Sequence, residues 1–468
     1  MRTKIVATVG PATESEAKLR ALLEGGVDVV RLNFSHDTRE NHGARIALIR
    51  RLARELDLNV CILQDLQGPK IRTGKMARDD GIALEVGQKT VITTRPVVGT
   101  ADCFGTSYRQ LPKDVKRGDR ILLDDGLMEL RVTSTTHDSV RCKVVVGGRL
   151  KSGKGINLPG VAVSAPAVTP KDRKDLAFGM KHEVDAVALS FVRRAADIEQ
   201  LRELLPAARR DTPVIAKIEK PEAIDELDAI LDAADGVMVA RGDLGVEMAP
   251  ERVPVLQKRI IRGANRRGIP VIVATQMLES MKDNPRPTRA EASDVANAIF
   301  DRTDAVMLSA ETSIGDYPIE AVAMMTRIAE AAEAEGRQGH DEEEESHRGT
   351  VPAAIADAGV HAADDIGAAA LVVFTMSGAT ARLLSQRRPA CPIHAFSPRQ
   401  ETCHRLALVW GVEAHQVRQV KKVDALLRRA EARLKAVRAV STGDRIVLVA
   451  GTTPVPGATN AVKVVTVS

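Results

Sequence analysis

The chain has 468 residues, 44% of them hydrophobic and 28% charged, with a formal net charge of +5, an ordinary globular composition in a chain too long for a single core. With only 7 Phe, 2 Tyr and 1 Trp, neither stacking aromatics nor a basic stripe is at hand for nucleic acid, and no apolar run reaches membrane-spanning length. The cysteines (Cys61, Cys103, Cys142, Cys391 and Cys403) lack paired metal spacing and, with no signal peptide ahead of the first strand, fit reduced thiols in a cytoplasmic protein.

In chain order, apolar runs rich in β-branched residues occur first at 4–10, 27–33 and 60–65, with helix-like sequence between them. A parallel strand buried on both faces requires such continuous runs. From QGPKIRTG (67–74) onward the rhythm changes. Short runs at 119–126, 128–134 and 140–148 are bounded by Gly and Asp, which predicts a small β-barrel or sandwich inserted into a βα loop. A helix is predicted to start near Thr169, and the buried-strand pattern resumes at 185–191, 213–219, 236–243, 270–276 and 304–311, followed by a helix over 319–334. Eight βα units predict a (β/α)8 TIM barrel made of 1–67 and 170–340, interrupted after its third strand by a lid domain at 68–169. The stretch 336–349, with its acidic run 341–345, reads as solvated linker. Strand-like runs at 369–375, 392–397, 445–451 and 461–467 then predict a third domain, an open-sheet α/β unit over 350–468.

In this barrel class, chemistry gathers at the C-terminal ends of the strands. The strand tips carry Arg31, Asn33, Asp65, Lys217, Glu219, Arg241, Asp243, Thr275 and Glu311, a cationic clamp beside a cluster of carboxylates. Carboxylates hold a divalent cation such as Mg²⁺, while Arg and Lys hold a phosphoryl group. Ion pairing around the rim would account for one such residue but not for the ring of them. Lys217 and Glu219 are two apart on one strand, so their side chains share a side of the sheet. The glycines of RGDLG (241–245) let backbone come close to a ligand, and a helix turn starting there would aim N–H groups at a carboxylate.

The motifs RLNFSH (31–36), QGPKIRTG, AKIE (216–219), VARGDLG (239–245), ATQMLESM (274–281) and NPRPTRAEASDVANA (284–298) occur in this order. Together they closely resemble the pyruvate kinase family over nearly the whole chain. The resemblance implies transfer of the phosphoryl group of phosphoenolpyruvate to ADP, giving pyruvate and ATP, with Mg²⁺ or Mn²⁺ held by Glu219 and Asp243. It implies that Lys217, Arg31 and Thr275 are catalytic, with the substrate bound by Arg31, Lys217, Gly242, Asp243 and Thr275. Thr275 is too weak an acid to give up its proton directly, so a relay through water is the expected role. Asn33, His36, Arg72 and Lys171 match nucleotide-binding positions, the last two near the hinges of the lid. The resemblance also implies a homotetramer. The stretch 284–298 offers little chemistry: Thr288 can cap a helix, and the segment reads as scaffold or subunit interface.

Two features depart from the potassium-dependent members. Asn33, Ser35, Asp65 and the Leu66 carbonyl match their monovalent-cation pocket, but Leu66 and Lys70 stand where those members carry Thr and Glu. The LQGPKIR form resembles the bacterial subgroup that does not need K⁺, with the Lys70 ammonium as an internal cation. In the C-terminal domain, Thr375, Ser377, Gly378, Ala379 and Thr380 of FTMSGATAR (374–382) make a phosphate cradle for an effector, by resemblance AMP or a sugar phosphate. A competing reading is a Mg²⁺-dependent aldolase or lyase acting on pyruvate enolate, which would need neither lid nor basic hinges. A catalytically silent homologue would not be expected to retain Lys217, Glu219, Asp243 and Thr275 together.

Overall fold

The computed structural model describes residues 1–335, 350–418, 423–451 and 459–468. The acidic run read as a linker, and with it the predicted boundary near 340, lies outside the described residues. Eight parallel strands close into a barrel: β1 (Lys4–Thr8), β2 (Val29–Asn33), β3 (Cys61–Asp65), β4 (Ala186–Leu189), β5 (Val214–Ile218), β6 (Gly236–Ala240), β7 (Val271–Ala274) and β8 (Ala305–Leu308), with β8 pairing back onto β1. Every strand residue except Asn33 is buried. Alternate side chains fill the barrel axis (Val6, Val29, Leu63, Ile215, Met238 and Ile272 among them) or pack outward against helices. Burial on both faces is why these runs read as continuous rather than alternating.

The base of the barrel is fixed by a repeated device. An Asp immediately precedes each even-numbered strand, and its carboxylate accepts the N–H at the start of the preceding odd one. Asp28 takes Ile5 N at 2.9 Å, Asp185 takes Ile62 N at 2.7 Å, Asp235 takes Val214 N at 2.9 Å and Asp304 takes Val271 N at 2.9 Å. Strand-start amides have no ladder partner, and a buried donor must find one. Arg50 and Arg388 neutralise Asp185 and Asp304, and Arg388 belongs to the C-terminal domain, so the same device ties that domain to the barrel floor.

The insert leaves the barrel after β3 through Gly68, whose φ is +67°. A Cβ there would lie 2.9 Å from the Phe191 ring and 3.0 Å from Ser190 Cβ, so only Gly fits. The chain returns at the helix Pro170–Lys181, where Thr169 and Asp172 form a reciprocal capping box. Asp172 also accepts the Gly68 N–H at 3.2 Å, so one buried carboxylate ties both hinges. Between them, a six-stranded sheet (the predicted strands observed as Arg120–Leu123, Met128–Thr135 and Ser139–Val146, with Lys89–Thr93, Cys103–Gly105 and Ile156–Asn157) and a two-stranded one share a single apolar core around Phe104 and Leu130.

In the segment 284–298, Thr288 caps the helix Arg289–Phe300 in a capping box with Glu291, as its sequence predicts. The C-terminal domain is an open sheet in the order Val412–Gln416, Ile393–Ser397, Ala370–Phe374, Arg445–Gly451 and Thr459–Thr466, antiparallel only at the last pair. No helix among the described residues is long and apolar enough to cross a membrane.

Candidate active site

At the C-terminal mouth of the barrel, Asp65 closes β3 and is 1% exposed. Its Oδ2 takes two bonds from Arg31, at 2.7 Å from Nε and 2.6 Å from Nη2, while Arg31 Nη1 donates to Thr8 Oγ1 at 3.0 Å. Burial alone would raise the Asp65 pKa, but the Lys217 and Arg31 charges outweigh it and hold the carboxyl below its ordinary range. Lys217, near the end of β5, points into the same space. Its ammonium has three partners: Ser190 Oγ at 2.8 Å, Glu219 Oε1 at 2.9 Å and Asp65 Oδ1 at 3.3 Å. Burial works against this charge, yet Asp65 and Glu219 raise its pKa further. Lys217 is therefore a fixed positive charge in a nearly dry pocket.

Glu219 follows β5 and is 1% exposed. Its second oxygen accepts the Phe191 N–H at 2.8 Å. Its pKa is raised by burial first; the Asp243 carboxylate adds to this against the pull of Lys217. Asp243 lies in the short helix Arg241–Glu247 after β6 and makes no hydrogen bond or ion pair among the described residues. It lines a cleft of about 510 Å³ under the insert, with Lys70, Asn157, Phe191, Arg193 and Lys220. Glu219, whose proton affinity the Asp243 charge helps to raise, and Asp243 beside an open cleft form a hard-oxygen site suited to a cation, and the donor set fits Mg²⁺.

Thr275, just beyond β7, adopts φ +68° and Gln276 follows at +54°. For a β-branched residue this is a strained geometry, held only where the surroundings dictate it. Arg241 dictates it, donating to Thr275 O at 3.2 and 2.8 Å and to Gln276 O at 3.1 Å. The turned hydroxyl accepts the Gly242 N–H at 2.8 Å and donates to Ala274 O at 2.6 Å.

On the other side of the mouth, the His36 pKa is lowered by burial and then by the charges of Arg72, Lys70, Arg31 and Lys171. Four cations, one from a barrel strand end and three from the two hinges, thus act on one imidazole, an arrangement suited to a polyanion. Arg72 is anchored on Gly153 O at 2.9 Å, and Lys171 on Asp175 at 2.6 Å and on Phe34 O. Lys70 has no such anchor among the described residues. Asn33 Oδ1 accepts the Ser35 N–H at 3.1 Å, and the Leu66 carbonyl accepts from Ser190 Oγ at 2.7 Å.

Two models of known families match: "Pyruvate kinase, barrel domain" over residues 1–322 and "Pyruvate kinase, alpha/beta domain" over residues 353–465. The chain belongs to the pyruvate kinase family. It is similar to pyruvate kinase 2 of Synechocystis (49% identical, 99% of this chain and 79% of that one) and to a pyruvate kinase of Staphylococcus aureus (46%, 99% and 80%). Among solved structures it resembles a pyruvate kinase from Cryptosporidium parvum at TM-score 0.92 and 36% identity, over 100% of this chain and 96% of that one. It is accordingly a phosphotransferase that moves the phosphoryl group of phosphoenolpyruvate to ADP, giving pyruvate and ATP, and the lyase alternative is not favoured.

Not every tip residue faces the cleft. Glu311 is fully buried, its carboxylate accepting the Leu278 and Ser309 amides, and Arg241 serves the Thr275 turn and an ion pair with Asp294. Ser190 and the Phe191 amide were not singled out from sequence. A second missed feature joins the insert to the barrel: Asn157 Nδ2 donates to Glu247 Oε1 at 2.9 Å, and Lys220 pairs with the same oxygen.

In the C-terminal loop, Thr375 Oγ1 accepts the Gly378 N–H at 2.9 Å, and Gly378 takes φ +84° ahead of the helix Ala379–Gln386. Thr380 is buried against Thr459 at 2.7 Å, so Ser377 is the exposed hydroxyl of the loop. Nearby, His394 and His415 approach at 3.1 Å beside Glu413, but Arg433 donates to the far nitrogen of His415. The nitrogen that a metal would need there carries the proton between the two rings.

Proposed function

We propose that Lys217, Arg31 and Thr275 carry the chemistry and that Asn33, His36, Arg72 and Lys171 hold the nucleotide phosphates. The observation supporting this most strongly is the three-way coordination of Lys217 between Asp65, Glu219 and Ser190. An ammonium so fixed needs no reorganisation when charge develops on a phosphoryl group in flight. Arg31, locked on Asp65, faces the same phosphoryl. Glu219 and Asp243 would hold Mg²⁺, or Mn²⁺ in its place, which when bound supplies neutralisation of phosphoryl and enolate oxygens. The substrate carboxylate would exchange the bond between Gly242 N and Thr275 Oγ1 for bonds to itself. Because the Thr275 proton is directed at Ala274 O, the enolate carbon would take its proton through water rather than from the hydroxyl directly.

For the monovalent-cation pocket of Asn33, Ser35, Asp65 and Leu66, we propose that Lys70 supplies the charge and K⁺ is not required. Turnover with Mg²⁺ and tetramethylammonium as the sole monovalent cation should be within about twofold of that with added K⁺, and Lys70→Glu should lower it and confer a K⁺ response. A wild-type protein nearly inactive until K⁺ is added would overturn this role of Lys70.

We propose, further, that the loop Thr375–Thr380 takes the phosphate of AMP or of a sugar phosphate and that the protein works as a cytoplasmic homotetramer. AMP or ribose 5-phosphate should lower the phosphoenolpyruvate concentration for half-maximal rate. Ser377→Glu, at the exposed hydroxyl, should abolish that response without disturbing the buried contact of Thr380. An unaltered response in the variant would place the effector elsewhere.

A further inference from the structure

The strand β4 ends at Leu189, and the next two residues do something unusual. Ser190 is 3% exposed. Its hydroxyl lies 2.7 Å from Leu66 O, 3.3 Å from Asp65 Oδ1 and 2.8 Å from Lys217 Nζ. A hydroxyl has one proton to give. The shorter bond assigns it to the Leu66 carbonyl, which turns the oxygen lone pairs toward the Lys217 ammonium. Phe191 then adopts φ +56°, a costly conformation for an aromatic residue, and this turn delivers its N–H to Glu219 Oε2 at 2.8 Å.

Each contact constrains a group of the proposed machinery. Without Ser190, the ammonium would have only two partners, Asp65 and Glu219, both anionic, and would settle deeper between them. The neutral oxygen of Ser190 holds the charge away from that collapse. The Leu66 carbonyl fixes Ser190 in turn, and the Phe191 amide keeps Glu219 from rotating its second oxygen toward Lys217.

We propose that Ser190 is a positioning residue for phosphoryl transfer, acting through Lys217 as the third, neutral partner that limits how far its ammonium settles between Asp65 and Glu219. The inference rests on the role of Lys217 proposed above. A misplacement of about 1 Å in a reacting or stabilising group can cost about 100-fold in rate.

The test is a double-mutant cycle in kcat with Ser190→Cys, Lys217→Met and their combination, the thiol being close in size to the hydroxyl but a poor acceptor. Ser190→Cys should lower kcat by roughly 10- to 100-fold with the KM for phosphoenolpyruvate changed less than about threefold. In the Lys217→Met background the same change should have little further effect, and Ser190→Thr, which keeps the hydroxyl, should recover most of the rate. Thermal denaturation of each variant reports whether the fold is kept. Full additivity in the cycle, or a Ser190→Cys enzyme with unchanged kcat, would overturn the proposal. A Lys217→Met enzyme that retains its kcat would instead sink the reading of Lys217 itself, so the two failures are distinguishable.

Discussion

Glu219→Ala and Asp243→Ala should each lower turnover with saturating phosphoenolpyruvate, ADP and Mg²⁺ by on the order of 100- to 1000-fold. The reason is electrostatic. The two carboxylates face each other closely enough that Asp243 helps to raise the pKa of Glu219, and a divalent cation turns that repulsion into attraction. Removing either leaves one anionic ligand in a cleft lined by Lys70, Arg193 and Lys220, where a cation is not otherwise favoured. The concentration of Mg²⁺ or Mn²⁺ for half-maximal activity should rise in both variants. Turnover that stays within a few-fold of wild type, at unchanged metal requirement, would place the metal elsewhere.

Lys217→Met should lower kcat by a similar order, about 100- to 1000-fold, while changing the KM for phosphoenolpyruvate only a few-fold. In the free protein the ammonium is already held by Asp65, Glu219 and Ser190. It gains little by meeting the ground-state substrate and more as negative charge develops on the transferring group. An interaction made chiefly in the transition state appears in kcat and in kcat/KM together. A variant whose KM rises as much as its kcat falls would show Lys217 to be a binding group.

The barrel was legible because its physics is local. Runs such as 185–191 and 304–311 are apolar and β-branched along their whole length, as double-faced burial demands, and an Asp stands at the head of each. The tips were legible for the same reason, since where a strand ends decides which residue reaches the mouth. Which tip residue meets the cleft was not legible. Glu311 and Glu219 are both acidic residues at strand ends, yet Glu311 accepts two backbone amides inside the scaffold while Glu219 faces Lys217 and Asp243. The difference depends on loops folding back from other strands.

Ser190 was hidden for a related reason: a serine at a strand end has many uses, and its partners Leu66 and Lys217 lie 124 and 27 residues away. The left-handed turns at Phe191 and Thr275 carry no local signature either, because neither residue type favours that backbone. Each is imposed by tertiary contacts, with Glu219 in the first case and Arg241 in the second. In the loop 375–380, the sequence suggests a cradle of hydroxyls. The fold commits two of them, Thr375 to Gly378 and Thr380 to Thr459, and leaves Ser377 outward.

On the proposed reading, this mouth transfers a phosphoryl group from phosphoenolpyruvate to ADP with the aid of a divalent cation held beside Lys217. Phosphorus NMR of the purified protein mixed with phosphoenolpyruvate, ADP and Mg²⁺ tests it most directly. The phosphoenolpyruvate signal should be replaced by the γ-phosphoryl signal of ATP in equal amount to the pyruvate formed, and conversion should stop when the metal is chelated. Inorganic phosphate appearing in place of ATP, or conversion that continues at full rate in excess chelator, would rule out metal-aided transfer to ADP at this mouth.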